Sequence, residues 1–107
     1  MNAKMLPQLA DKIGYPHGYR RTRRRLDPPF LVYYCIGSAP IASDTRMHGL
    51  WSSWRIELYT AGKDRAAEQR AEQALTDAGI VYQKDEVDIP AENLLEIIYE
   101  FEGVETE

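Results

Sequence analysis

The segment Phe30-Leu31-Val32-Tyr33-Tyr34-Cys35-Ile36 decides the fold class. It is β-branched and aromatic, with Pro28-Pro29 before it and Gly37-Ser38 after it. Such a run between turn residues reads as a strand. Its apolar character at successive positions, on both faces, predicts a central strand. The two prolines forbid helix on its N-terminal side and impose an extended approach. Downstream, Trp51 to Thr60 reads as a second strand. Trp54, Ile56, Leu58 and Thr60 alternate there with Ser53, Arg55, Glu57 and Tyr59, the pattern of a half-buried strand. Between the two, Ser38 to Gly49 is polar and contains Pro40, Ser43 and Asp44, so it reads as a long loop. Loops of about twelve residues in a compact domain are commonly functional.

Working outward, Ala61-Gly62-Lys63 is a turn, and Asp64 to Ala78 is the clearest helix. Asp64 can accept hydrogen bonds from the free first-turn N–H groups. Ala67, Ala71, Ala74, Leu75 and Ala78 form a narrow apolar stripe, and Gly79 is placed to end the helix in a left-handed conformation. The small side chains of the stripe predict close packing on the sheet. Ile80 to Ile89 reads as a third strand with Val81, Val87 and Ile89 on one face and Tyr82 on the other. Pro90-Ala91-Glu92-Asn93 breaks it, and Leu94 to Phe101 reads as a fourth strand. A helix starting at Pro90 competes with that last assignment, since proline suits the first helical turn. At the other end, Leu6, Leu9, Ala10 and Ile13 fall on one face of a short helix that Gly14 stops.

These elements predict an α+β fold: a mainly antiparallel sheet of about four strands, with an N-terminal helix and the 64–78 helix packed on it, and the long loop at 38–49. The chain has 107 residues, 44% apolar, which fits one domain over 1–102 with an acidic, flexible tail at 103–107. Cys35 is the one cysteine, so no intramolecular disulfide can form. No apolar run approaches the roughly 18–20 residues of a membrane span. The opening residues Met1 to Pro7 lack the apolar core of a secretory signal.

The net charge of −4 conceals a split. Residues 1–55 hold 9 Lys/Arg against 3 Asp, net +6, whereas residues 56–107 hold 4 Lys/Arg against 14 Asp/Glu, net −10. Most of the positive excess lies in Arg20-Arg21-Thr22-Arg23-Arg24-Arg25. Such a run attracts phosphates or an acidic protein surface. It lacks aromatic interleaving and a helix-turn-helix pattern, so base-specific readout is not expected. Enzyme signatures are weak. His17 and His48 are 31 residues apart and share no metal-ligand spacing with Cys35, which reads as a small packed residue. There is no phosphate-binding glycine loop and no nucleophile elbow. No catalytic, cofactor-binding or metal-ligating set is therefore expected.

Several segments taken in order carry a resemblance. Pro29-Phe30-Leu31-Val32-Tyr33-Tyr34, Arg55-Ile56-Glu57-Leu58-Tyr59-Thr60, Lys63-Asp64, Ala78-Gly79-Ile80-Val81-Tyr82 and Ile98-Tyr99-Glu100-Phe101-Glu102 are similar to a family of small proteins from long-tailed phages (siphoviruses) and prophages. Those proteins are described as minor capsid, tail completion or head–tail joining proteins and include tail terminators. The resemblance covers about residues 6–102, and the arginine run departs from the family's mixed polar segment. It implies a non-enzymatic virion protein of the neck region, assembled in the host cytoplasm as a homo-hexameric ring. Its subunit would be a sheet flanked by helices with a long hairpin-like loop. One ring face would meet the tail-tube protein and the other the head-completion or connector protein. Double-stranded DNA would pass through the channel without sequence readout. The residues expected at subunit or partner interfaces are Arg20, Arg21, Arg23, Arg24, Arg25, Arg46, Met47, His48 and Trp51. A head-completion or adaptor protein of the neck is the neighbouring reading. A small DNA-binding module using Arg20–Arg25 is the reading from another class.

Overall fold

The structure is a computed structural model; it describes residues 5–22, 24–43 and 46–105, and within these the side chains of 42, 43, 46–48, 104 and 105 are left undescribed. Helix α1 (Met5–Ile13) is followed by a short strand β1 (His17–Tyr19), then β2 (Phe30–Ser43), β3 (Arg46–Thr60), helix α2 (Arg65–Asp77), β4 (Gln83–Ile89), a single helical turn (Pro90–Glu92) and β5 (Leu94–Glu105). The five strands form one sheet in the order β1-β2-β3-β5-β4. Only β1 runs parallel to its neighbour; every other pair is antiparallel. The fold is thus the α+β class that the patterning predicts, the short β1 falling where residues 15–19 read as a turn or a short extended segment.

The strand periodicity explains which face carries the helices. Leu31 and Tyr33 of β2, Trp54, Ile56, Leu58 and Thr60 of β3, and Ile97, Tyr99 and Phe101 of β5 lie buried together. Leu6, Leu9, Ala10 and Ile13 of α1 and Ala67, Ala71, Ala74 and Leu75 of α2 close this core from one side. Each fully buried side chain of Leu or Ile size contributes about 1.5–3 kcal/mol from leaving water. The helix predictions hold in detail. The Asp64 carboxylate accepts from the Ala67 N–H at 3.1 Å, and Gly79 follows the helix at φ +73°. Gly14, at φ +91°, follows α1 in the same left-handed region. Both are conformations glycine adopts without a Cβ penalty.

Three expectations are corrected. First, 38–49 is not a loop: the described residues of this segment belong to a β2–β3 hairpin paired from Phe30↔Tyr59 to Ser43↔Arg46. Register shifts between Cys35 and Gly37 and between Ile41 and Ala42 disturb the two-residue side-chain period. Pro40 is tolerated because β1 pairs only as far as Tyr33, which leaves β2 an edge strand there. Second, 103–105 do not form a free tail: Gly103, Val104 and Glu105 pair with Ser52, Trp51 and Leu50 of β3. Residues 106–107 lie outside the described residues. Third, the strand predicted from Ile80 begins at Gln83. Ile80 is buried against the core, Tyr82 packs edge-on against Tyr99, and Val81 is 91% exposed. The competing helix at Pro90 amounts to one turn, ended by Asn93 at φ +56°.

Candidate interface

Three surfaces stand out, and none is covered by a helix. The first is the arginine loop beside β1. Arg20 takes a left-handed conformation, φ +66°, and its N–H donates to the Tyr33 carbonyl at 2.9 Å, ending the β1 pairing. Its guanidinium lies 5.6 Å from the Tyr19 ring centroid and 6.0 Å from that of Tyr34, a cation–π arrangement. The chain then folds back across β1. A Cβ on Gly18 would sit 2.3 Å from the Arg21 carbonyl oxygen, so only glycine admits this crossing. Arg21, Arg24 and Arg25 are exposed; Arg21 and Arg24 border a hollow with His17, Tyr19 and Leu26. Arg25 turns toward a second hollow of about 460 Å³, lined also by Phe30, Glu92, Asn93 and Leu94. Arg23 lies outside the described residues.

The second surface is the hairpin arm. Beyond the Pro40↔Leu50 pair only β2 and β3 remain among the described residues, the last described pair of β5 being Glu105 with Leu50. Arg46, Met47 and His48 fall in β3 within this tip; their side chains lie outside the described residues. Trp51, 44% exposed, sits where the arm leaves the body. Together with Ile36, Ser53, Val81 and Glu102 it lines a cleft of about 550 Å³. The exposed apolar residues Ile36, Trp51 and Val81 thus share one depression. At this place β4 has ended opposite Glu100, so the outer edge of β5 is free of β4.

The third surface is the helix-free face of the sheet, which sequence reading missed as a unit. Tyr34, Arg55, Glu57, Tyr59, Glu96 and Glu100 project there from β2, β3 and β5. Arg55 donates to Glu100 through Nε and Nη2, and through Nη1 to the Tyr34 hydroxyl at 3.1 Å. The Tyr59 hydroxyl donates to Glu96 at 2.6 Å and to Glu57 at 3.4 Å. Glu57 is only 9% exposed, flanked in register by Val32 and Ile98. Burial first, and then the neighbouring Glu96 carboxylate, raise its pKa to about 7 against the partial opposition of Arg55 and Tyr59. Burial and the same two carboxylates also raise the Tyr59 hydroxyl. The polar half of the β3 alternation, Arg55-Glu57-Tyr59, set opposite Glu96 and Glu100, was the sequence signal for this network.

On the other side of the sheet, β4 is tied to α2 by charge. Lys84 reaches Glu68 at 2.7 Å and Glu72 at 2.9 Å, and Lys63 bridges Glu68 at 3.0 Å and Glu86 at 2.7 Å. Glu68 is buried, which would raise its carboxyl, yet the hydrogen bonds and charges of Lys84 and Lys63 hold it below the usual carboxylate range. The Tyr99 hydroxyl donates to Glu72 at 2.8 Å. Among the described residues no group of three or more His, Cys, Asp or Glu side chains is arranged to hold a metal ion. No helix among them is long and apolar enough to cross a membrane. No protein-family model matches the chain, and no curated protein matches it in sequence.

Proposed function

We propose that the protein is a structural component of the neck of a long-tailed phage, a tail terminator or tail completion protein that forms a ring on the end of the tail tube. The observation that carries this reading is the hairpin arm. A helix-backed sheet extends into a long β2–β3 projection in which residues 36–40 are exposed and, among the described residues, β2 and β3 beyond Leu50 pair only with each other. A projection that leaves the body of the sheet in this way offers surface for contact with another molecule. The exposed apolar cleft of Ile36, Trp51 and Val81 at its base supports the same use, because exposed apolar patches on a small domain mark interaction sites. In this reading the arm meets the adjacent tail-tube or head-completion ring, and the channel passes double-stranded DNA without base contacts. A neck adaptor protein would use the same surfaces.

The exposed arginines favour one other reading, a module that grips duplex phosphates through Arg20, Arg21, Arg24 and Arg25. Negative-stain microscopy of the protein mixed with its tail-tube protein separates the two. The terminator reading expects rings capping tubes of uniform length. Tubes of unlimited length, together with tight retention of free duplex at physiological salt, would favour the DNA-binding module.

A further inference from the structure

The charge split of the sequence becomes a split across the sheet. Strands β1 and β4 are its two margins, four strand spacings or about 19 Å apart. Outside β1 lie the exposed guanidinium-bearing residues Arg20, Arg21 and Arg24, with Tyr19 53% exposed among them. Along β4, every residue from Gln83 to Asp88 is exposed, and Val87 is the apolar residue among its charges. Lys84, the strand's only cation, is turned to the helix side and held by Glu68 and Glu72. Glu86 is held by Lys63. Among the described residues Asp85, opposite Ile98 on the helix-free side, and Asp88, opposite Leu95 on the helix side, make no hydrogen bond or ion pair, and β4 pairs with β5 alone, so this edge carries unneutralised negative charge on both faces.

Building on the ring reading, we infer that copies of this chain associate head to tail, the arginine loop of one copy docking on the β4 margin of the next. The occupant is a second copy because each margin is the electrostatic complement of the other, on opposite sides of one subunit. An edge-to-edge two-fold pairing would set loop against loop or β4 against β4, like charge on like, and is disfavoured. Head-to-tail contact is the arrangement that closes cyclic rings. Tyr19 and Val87 supply each margin with an apolar contact within the charged rim, and Tyr and Arg are the residues interfaces favour. Duplex DNA could engage the loop but would be repelled by the β4 margin, which would then have no role.

The test uses two charge-reversed proteins, one carrying Arg21→Glu and Arg24→Glu, the other Asp85→Lys and Asp88→Lys. None of these four side chains makes a described contact that the fold needs; circular dichroism confirms that both variants remain folded. Native mass spectrometry and sedimentation velocity read assembly, alone and on tail tubes. Each variant alone is expected to assemble at least tenfold more weakly than the wild type. An equimolar mixture restores rings, because every Glu-bearing loop then has a Lys-bearing margin to meet and every arginine loop an acidic one. Rings that form equally well in both variants overturn this interface while leaving the ring reading standing. A wild-type protein that stays monomeric both alone and with tail tubes overturns the ring reading itself. Unchanged assembly with lost duplex retention in Arg21→Glu/Arg24→Glu gives the loop to DNA and overturns the docking proposal.

Discussion

Glu57 is a carboxyl enclosed by Val32, Ile98, Tyr59 and Glu96 on a sheet face that no helix covers. Its folded pKa of about 7 lies above the ordinary value of 4.5. Between those two values the folded protein holds a proton that the unfolded chain has lost, so stability falls as pH rises through this window. The shift corresponds to a loss of up to about 3 kcal/mol by pH 8, at about 1.4 kcal/mol per unit. Glu57→Gln keeps a neutral side chain at every pH. Urea denaturation should find it close to wild type at pH 5 and clearly more stable than wild type at pH 8. An unchanged gap between the two proteins across that range would refute the assignment. At the core, Ala71 is completely buried where α2 meets the sheet. Ala71→Leu should cost about 1–3 kcal/mol by overpacking, read as a lower urea midpoint with an unchanged slope.

At the scale of elements, what was legible in the sequence was what periodicity controls. Leu6, Leu9, Ala10 and Ile13 announce α1, and all four are buried in it. The alternation Trp54-Ile56-Leu58-Thr60 announces the buried face of β3, and all four line the core. The hairpin arm was illegible for a physical reason. Two register shifts reset its alternation, Pro40 and Gly49 imitate loop signals, and residues 36–40 are exposed, so no buried face marks that stretch. The β4 margin escaped as a site because solvent-facing acidic residues look alike in sequence. Glu86 is set apart from Asp85 and Asp88 by Lys63, which reaches across to it. The independence of the arm is testable. Replacing residues 41–49 by Asn-Gly, a two-residue hairpin turn, should leave the melting temperature within a few degrees of wild type. On the terminator reading, the same protein should fail to cap tail tubes in the microscope. A large loss of stability would mean that the arm belongs to the core.

The whole molecule measures 51 × 26 × 21 Å, with a radius of gyration of 15.0 Å. A compact chain of this length has about 13 Å. Its charge is divided along the short direction of the strands' stacking, basic at β1 and acidic at β4, while the arm extends along the strands. Contacts between copies and contacts with an adjoining ring would therefore use different axes of the subunit, and losing one need not remove the other. The charge-swap proteins and the shortened-arm protein address these two axes separately.

The elongation also bears on hydrodynamics. A body about twice as long as it is wide meets more friction than a sphere of equal mass, so it sediments slowly and leaves a gel-filtration column early. A single subunit then imitates a larger globular particle on a column calibrated with spherical standards. Subunit number in any assembly has to be counted by mass, through light scattering or native mass spectrometry, and elution volume alone would overcount it.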